Sequence, residues 1–208
     1  QTDDRVVEHI RLRDIFPIGV QILRENRPFR NYTLVKVLVG AAEFAVPYYI
    51  IAAGELAGAP AGFVGIMTTV YLVSKVVSSL VLGRIADRFG ATRVLRCSCL
   101  CGAAAALMVI LIRDWRLAFV MYALLAVAVN GVMMSNNIAC VAYSGNVRTP
   151  IYAAASGLLC APLYVVSSFA GAAIVGRFSY TAVFLIAMAV YAVCALLTFT
   201  LKDEPNRR

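Results

Sequence analysis

Residues 117–140 read LAFVMYALLAVAVNGVMMSNNIAC, a run in which no side chain carries a charge. A helix needs about 20 predominantly apolar residues to cross the hydrocarbon core of a bilayer. The run lacks the regular alternation of polar and apolar residues that marks a strand of a membrane barrel. This stretch therefore predicts a transmembrane helix.

Five further apolar runs of similar length lie on either side of this one. They extend over residues 33–53, 62–83, 94–112, 150–175 and 179–201. The connections between them are short and leave no room for a second domain. The sequence therefore predicts an all-α, polytopic membrane protein with six transmembrane helices.

The composition agrees with this prediction. Of the 208 residues, 62% are hydrophobic and 14% are charged, whereas an average soluble domain is about 25% charged. A soluble enzyme domain, a disordered chain and a disulfide-rich secreted module are therefore excluded. The net charge of +8 does not indicate nucleic-acid binding, because the basic residues lie between the apolar runs. The lipid bilayer is the expected partner.

The distribution of basic residues sets the predicted orientation. With six spans, both termini lie on one side of the membrane, together with fourteen arginines and lysines, against three on the other side. The fourteen are Arg5, Arg11, Arg13, Arg24, Arg27, Arg30, Arg84, Arg88, Arg93, Arg96, Arg148, Lys202, Arg207 and Arg208, and the three are Arg113, Arg116 and Arg177. Because basic loops remain in the cytoplasm, we expect both termini to be cytoplasmic and the protein to lie in the cell (inner) membrane.

The same pattern divides the chain into three parts. Residues 32–203 form the predicted six-helix bundle, and residues 204–208 form a cytoplasmic tail. In residues 1–31, apolar side chains interleave with arginines, and Pro17 and Gly19 interrupt the stretch. This segment is predicted to be a cytoplasmic, basic, amphipathic linker whose apolar side lies on the inner leaflet. A solvated basic linker is the alternative.

Two ionisable residues are predicted to lie near the middle of the bilayer. Glu43 is in the first span and Lys75 is in the second, and a charge at this depth costs roughly 2.5–3.5 kcal/mol on insertion scales. The two spans are joined by a short loop, so the two side chains could form an ion pair. Alternatively, each faces a water-filled cavity.

Polar residues within the spans are candidates for the same pathway. Tyr71 and Lys75 belong to a polar stripe on the second span, and Asn130 and Asn137 lie two turns apart on the fourth span. Such stripes face other helices or water rather than lipid. Helix packing is the competing interpretation, because polar and small residues also hold transmembrane helices together.

The segment between the second and third spans reads GRIADRFGATR, residues 83–93. Gly83 and Gly90 are expected to let the chain turn tightly. Asp87 needs a helix N-terminus or an arginine as a partner, and Arg88 and Arg93 suit inner-leaflet phosphates. This segment resembles the G-x-x-x-D-R-x-G loop of the major facilitator superfamily. Ala91 and Thr92 stand where that family often has basic residues, which fits the weaker copy of the loop in the second half of its members.

The resemblance implies that the chain is the C-terminal six-helix half of a twelve-helix transporter. A missing N-terminal half would then be its partner, and Asp87 and Arg88 would act in a latch between the halves. In this family the two halves enclose a central substrate site and alternately expose it to each side. The residues that the resemblance and the polar pattern together assign to the substrate or proton pathway are Glu43, Tyr48, Tyr71, Lys75, Asn130 and Asn137.

The predicted function is therefore secondary active transport of a small solute. Glu43 would carry a coupling proton, in symport or antiport, and no cofactor or metal is expected. An enzyme is disfavoured, because an intramembrane protease needs a histidine beside its nucleophile and the only histidine, His9, lies outside the spans. The alternative is a non-transporting membrane scaffold or regulatory partner, which would bury Glu43 against Lys75 without a cavity.

Overall fold

A computed structural model describes residues 12–57, 62–111, 114, 116–144 and 149–201. These residues form eight α-helices and one turn of 3₁₀-helix, with no β-strand among them. The helices are α1 (Leu12–Glu25), α2 (Arg27–Ala42), α3 (Val46–Ala57), α4 (Phe63–Phe89), α5 (Ala91–Leu111), α6 (Leu117–Ser144), α7 (Thr149–Arg177) and α8 (Tyr180–Leu197).

Six of the described helical segments are long and apolar enough to cross a membrane, which confirms the predicted fold class. The first of them, Arg27–Ala52, is composite: α2 and the beginning of α3 are joined through the 3₁₀ turn Glu43–Ala45. It begins where the Asn26 side chain accepts a hydrogen bond from the amide of Phe29 (3.1 Å) and Pro28 occupies the first turn. Both features are typical of a helix N-terminus.

The predicted loop at residues 83–93 is mostly helical, which corrects the sequence analysis. Gly83 lies inside α4, which continues through Asp87 and Arg88 to Phe89. Only Gly90 turns the chain, with a φ of 83° that residues with a side chain rarely adopt. The prediction failed because the charged residues mark the end of the hydrocarbon core and not the end of the helix.

The helix α1 packs against α7, and its expected position at the inner leaflet stays a prediction. Its backbone is continuous through Pro17 and Gly19, so these residues do not split the segment. A Cβ at Gly19 would lie 3.1 Å from that of Ala155 in α7, and Ile22 packs against Phe29 and residues of α7. The apolar face of α1 therefore covers one end of the bundle. Residues 1–11, including His9, lie outside the described residues.

The bundle is centred on α5, which packs against both α6 and α8, while α4 packs mainly against α6. Tyr191 of α8 is 1% exposed and lies directly over Gly102 of α5. The helices α4 and α7 are the least buried of the six spans. Their outward faces carry large exposed apolar side chains, including Val76, Leu80 and Phe169.

An arginine joins α5 to the end of α8. The Nε of Arg96 donates to the Thr198 hydroxyl (3.1 Å), and its guanidinium also donates to the Thr198 carbonyl (3.0 Å). The same guanidinium lies 3.8 Å from the centre of the Phe199 ring. A cation at a helix C-terminus satisfies carbonyls that have no partner within the helix.

Replacing Arg96 by methionine should lower the free energy of unfolding by about 1.5–3 kcal/mol, the usual value for hydrogen bonds to a charged group. Reversible unfolding in mixed detergent micelles measures the change. Arg93→Met is the matched control, because Arg93 is exposed and stacks only on Phe89 at 4.5 Å, and it should cost no more than about 1 kcal/mol. Equal losses in the two variants would contradict this role of Arg96.

Candidate functional site

The first span changes its helical geometry at Glu43. Pro47 has no amide hydrogen, so it cannot donate to the Glu43 carbonyl as an α-helix would require. Instead, the amide of Val46 bonds to that carbonyl in a 3₁₀ turn, which is tighter than an α-helical turn. The break places the Glu43 side chain and the first turn of α3 on the same side of the bundle.

A cavity of about 370 Å³ lies at this break and opens to the outside of the bundle. One part of its wall is polar and the rest is apolar and aromatic. The lining residues are Glu43, Phe44, Val46, Pro47, Tyr48, Val129, Tyr164, Ser167 and Ser168. Concave sites with mainly apolar walls and a few polar groups are typical of small-molecule binding sites.

The polar part of the wall comes from α7, which packs against the first span. Tyr164 lines the cavity together with Glu43, and the two side chains interact electrostatically. A Cβ at Gly40 would lie 3.1 Å from the Tyr164 ring, so the absence of a side chain there lets the ring reach Glu43. The hydroxyls of Ser167 and Ser168 donate to the Tyr164 carbonyl (3.0 and 2.8 Å), which fixes their orientation.

A buried lysine lies behind Glu43. Lys36 is only 8% exposed, and its Nζ donates to the Ser156 hydroxyl (2.9 Å), which donates to Oδ1 of Asn136 (2.8 Å). The Lys36 ammonium also acts electrostatically on Cys160 and on Glu43. Lys36 lies within the first predicted span, residues 33–53, but was not among the predicted pathway residues. The available signal was its spacing, because residues seven apart lie on one face of a helix.

Lys75 does not occupy the place that the sequence suggested. No ion pair within 4 Å joins it to Glu43, although both residues belong to the described part of the chain. Its half-buried side chain is also absent from the cavity wall. Among the described residues, no ion pair within 4 Å joins Glu43 to Lys36 either, and Lys36 acts on Glu43 only at longer range.

The other predicted pathway residues separate into two groups. Tyr48 lines the cavity beside Glu43 and lies 6.3 Å from Tyr180, ring centre to ring centre. Tyr71 packs edge-on against Tyr122, with the ring centres 6.3 Å apart, and the Glu43 carboxyl acts electrostatically on it. Neither Tyr71 nor Asn137 lines the cavity, and Asn137 is exposed on α6.

Asn130 joins α6 to α4. Its side-chain nitrogen lies 3.2 Å from the Lys75 carbonyl, 3.0 Å from the Ser78 hydroxyl and 2.8 Å from the Ser79 hydroxyl. An amide nitrogen has two hydrogens, so these acceptors use its full donor capacity. In this conformation, Asn130 therefore stabilises helix packing, and its neighbour Val129 reaches the cavity wall.

The residues of the loop motif lie near the junction of α4 and α5. Asp87 and Arg88 are exposed, and Arg93 stacks on Phe89. No ion pair to Asp87 exists within the described residues, so its predicted partner is not found there. The motif therefore presents one carboxylate and several guanidinium groups at one end of the bundle.

The fold defines a polytopic helical membrane protein, and a carboxyl in its first span lies in the wall of an open cavity. A family model of the Major Facilitator Superfamily matches residues 32–208, and the chain belongs to this family of membrane transporters. No curated protein matches the chain.

Proposed function

We propose that the chain is the C-terminal half of a twelve-helix transporter that moves a small solute by alternating access. The open cavity supports a solute pathway, because a wall made by this bundle alone leaves one side unenclosed. The low burial of α4 and α7 supports a second six-helix bundle as the partner. The excess of basic residues at the predicted cytoplasmic side supports an inner-membrane protein with both termini in the cytoplasm.

We further propose that Glu43 carries the coupling proton. The observation that carries this proposal is the position of its carboxyl, which is at a mid-span helix break in the wall of an open cavity. The titratable groups that interact electrostatically with it are Lys36 from α2, Tyr71 from α4, Cys160 and Tyr164 from α7, and Tyr191 from α8. Ionisable groups at this depth commonly mark ion or proton pathways.

The same observation disfavours a membrane scaffold. A scaffold would neutralise its mid-span charges by pairing them and would exclude water from around them. Here Glu43 lines a cavity and has no ion pair with Lys75. A transporter is therefore the function that the site supports best.

Solvent access to the cavity tests the proposal. In a background without cysteine, Tyr48→Cys should react with a charged, membrane-impermeant thiol reagent, because Tyr48 lines the cavity. Leu100→Cys is the control, because Leu100 is 55% exposed in the middle of α5, on the outer surface of the bundle. We expect labelling at least about tenfold faster at position 48, because only the thiolate reacts and forming it requires water.

The complete protein is labelled in membrane vesicles of both orientations, so that access from either side is measured. Detergent-solubilised samples show that both cysteines can react once lipid is removed. Equal protection of the two positions in vesicles of either orientation would contradict a water-filled pathway.

A further inference from the structure

The aromatic part of the cavity wall rests on two glycines. Phe44 and Tyr48 line the cavity from the first span, and a Cβ at Gly171 of α7 would lie 2.7 Å from the Phe44 ring and 3.3 Å from the Tyr48 ring. Tyr164 lines the cavity from α7, and a Cβ at Gly40 of α2 would lie 3.1 Å from its ring. Each of the two spans therefore offers a glycine to the rings of the other.

The spacing along both spans puts each glycine on the same helix face as a ring of its own span. Gly40 precedes Phe44 by four residues, and Tyr164 precedes Gly171 by seven, and residues at these spacings share one face of a helix. Both glycines are buried, and neither is part of the cavity wall. The rings therefore lie between a glycine on one side and the cavity on the other.

A side chain at either glycine would narrow the cavity. A contact of 2.7 Å is too short for two carbon atoms, whose favourable separation is about 3.5–4.0 Å, so a methyl group at position 171 must move the Phe44 ring. The helix α7 blocks one side of that ring, and the cavity of about 370 Å³ is its open side. The ring would therefore move into the space that a solute occupies.

We propose that Gly40 and Gly171 are specificity-determining residues, which keep the cavity wide enough for a solute with a flat aromatic body of more than one ring. This inference rests on the proposed function and deepens it, because it names the class of solute. A volume of about 370 Å³ is at the lower end of the range for sites that enclose drug-sized ligands. Aromatic side chains stack favourably on flat rings, so the wall selects the shape of the solute as well as its size.

The rest of the wall fits such a solute. The side chains of Val46, Pro47 and Val129 complete its apolar surface, and the Glu43 carboxyl offers a polar anchor. A mainly apolar wall with few polar groups binds the body of a ligand by its shape and orients it through those groups. The width between the aromatic rings is therefore the property of this site that decides which ring systems can enter.

Two pairs of probes test the proposal: benzylamine and naphthylmethylamine, which are cationic, and benzyl alcohol and naphthylmethanol, which are neutral. Each pair differs only in its ring system, and the use of two pairs makes the comparison independent of charge. Each probe is titrated against the complete protein in lipid nanodiscs, and apparent affinity is derived from the shift in melting temperature. In at least one pair, we expect the two-ring probe to bind at least about threefold more tightly, because it buries more apolar surface.

Replacing Gly171 by alanine should reverse this preference. It should weaken binding of the two-ring probe at least about tenfold and that of the one-ring probe less than about threefold, since one misfitting methylene-sized group in an apolar pocket usually changes affinity about 10–200-fold. Gly157→Ala is the matched control, because Gly157 lies on the same helix and has nothing within 4 Å of its Cβ. It should leave both affinities unchanged.

Two further variants assign the effect to the rings. Gly40→Ala should act on the two-ring probe through Tyr164 in the same way, and it decides the question if Gly171→Ala does not fold. In a Phe44→Leu background, Gly171→Ala should lose most of its effect, because residues in contact are energetically coupled. A merely structural role of Gly171 would lower the melting temperature without a probe but leave the ratio of the two affinities unchanged.

An unchanged ratio of the two affinities in the folded glycine variants, or no stabilisation of the unaltered protein by any of the four probes, would overturn the proposal. Cysteine labelling separates its failure from that of the proposed function. If Tyr48→Cys is labelled through water and the ratio does not change, only the inference about the solute falls. If Tyr48→Cys is protected, the pathway itself is contradicted.

Discussion

Replacing Gly102 by valine is expected to lower the free energy of unfolding by about 3 kcal/mol, at the upper end of the usual cost of overpacking. A Cβ at this position would lie 2.7–2.8 Å from three atoms of the Tyr191 ring. That ring is 1% exposed and is packed between α5 and α8. The new side chain must therefore push the two helices apart, and reversible unfolding in mixed micelles measures the loss.

Two variants control this prediction. Gly65→Val, on α4, has nothing within 4 Å of its Cβ and should be neutral or slightly stabilising, because glycine is a poor helix former. Tyr191→Leu should restore part of the stability of Gly102→Val, since residues in contact are energetically coupled. A Gly102→Val variant as stable as Gly65→Val would show that the α5–α8 interface is not packed as described.

The six membrane-spanning helices could be predicted from the sequence because the hydropathy and the length of an apolar run are sufficient to identify such a helix. A run such as residues 117–140 has one favourable state in a bilayer, whatever its neighbours are. The helix ends were less predictable, as the continuation of α4 to Phe89 shows. Hydropathy reports depth in the membrane, whereas a helix ends where the backbone conformation changes, and here that happens at Gly90.

The partner of Glu43 could not be predicted because it depends on which helices meet. Sequence order made the second span, with Lys75, the natural neighbour of the first. In the structure, α7 packs against the Glu43 side of the first span and supplies Tyr164, while Lys36 lies behind Glu43 on α2 itself. The depth of a residue in the membrane can be inferred from the sequence alone. The neighbours that its side chain faces can be identified only from the packing of the helices.

The direction in which the Asn130 side chain points could not be predicted from the sequence either. A mid-span asparagine can face a cavity or a neighbouring helix, and the sequence left both interpretations open. In the structure, the side-chain nitrogen of Asn130 donates hydrogen bonds to α4, and its neighbour Val129 lines the cavity. One residue step on a helix, a rotation of about 100°, separates these two surroundings.

Replacing Glu43 by glutamine is expected to remove the dependence of solute uptake on pH. Glutamine keeps the size and the hydrogen-bonding groups of the side chain but cannot take up a proton. Accumulation driven by a proton gradient should fall at least about tenfold, because coupling between two binding sites is usually worth roughly 5–150-fold. Uptake into vesicles of a solute identified from a panel of labelled sugars, organic acids and cations measures the effect.

Glu43→Asp is the matched control for the uptake experiment. It keeps a titratable carboxyl on a shorter side chain, so it should retain pH-dependent uptake at a reduced rate. Glu43→Gln with the pH dependence of the unaltered protein would exclude Glu43 as the proton carrier.

The protonation of Glu43 can be measured directly, without a known solute. Dicyclohexylcarbodiimide is an apolar reagent that reacts with protonated carboxyl groups. The complete protein is treated with it in liposomes across mildly acidic to mildly alkaline pH, and the modified peptides are quantified by mass spectrometry. We expect the modified fraction of Glu43 to rise steadily as the pH falls and to be absent in Glu43→Gln. The same modification of Glu43 at every pH, or none at any pH while the exposed Glu25 reacts, would contradict a carboxyl that exchanges protons with a solvent pathway.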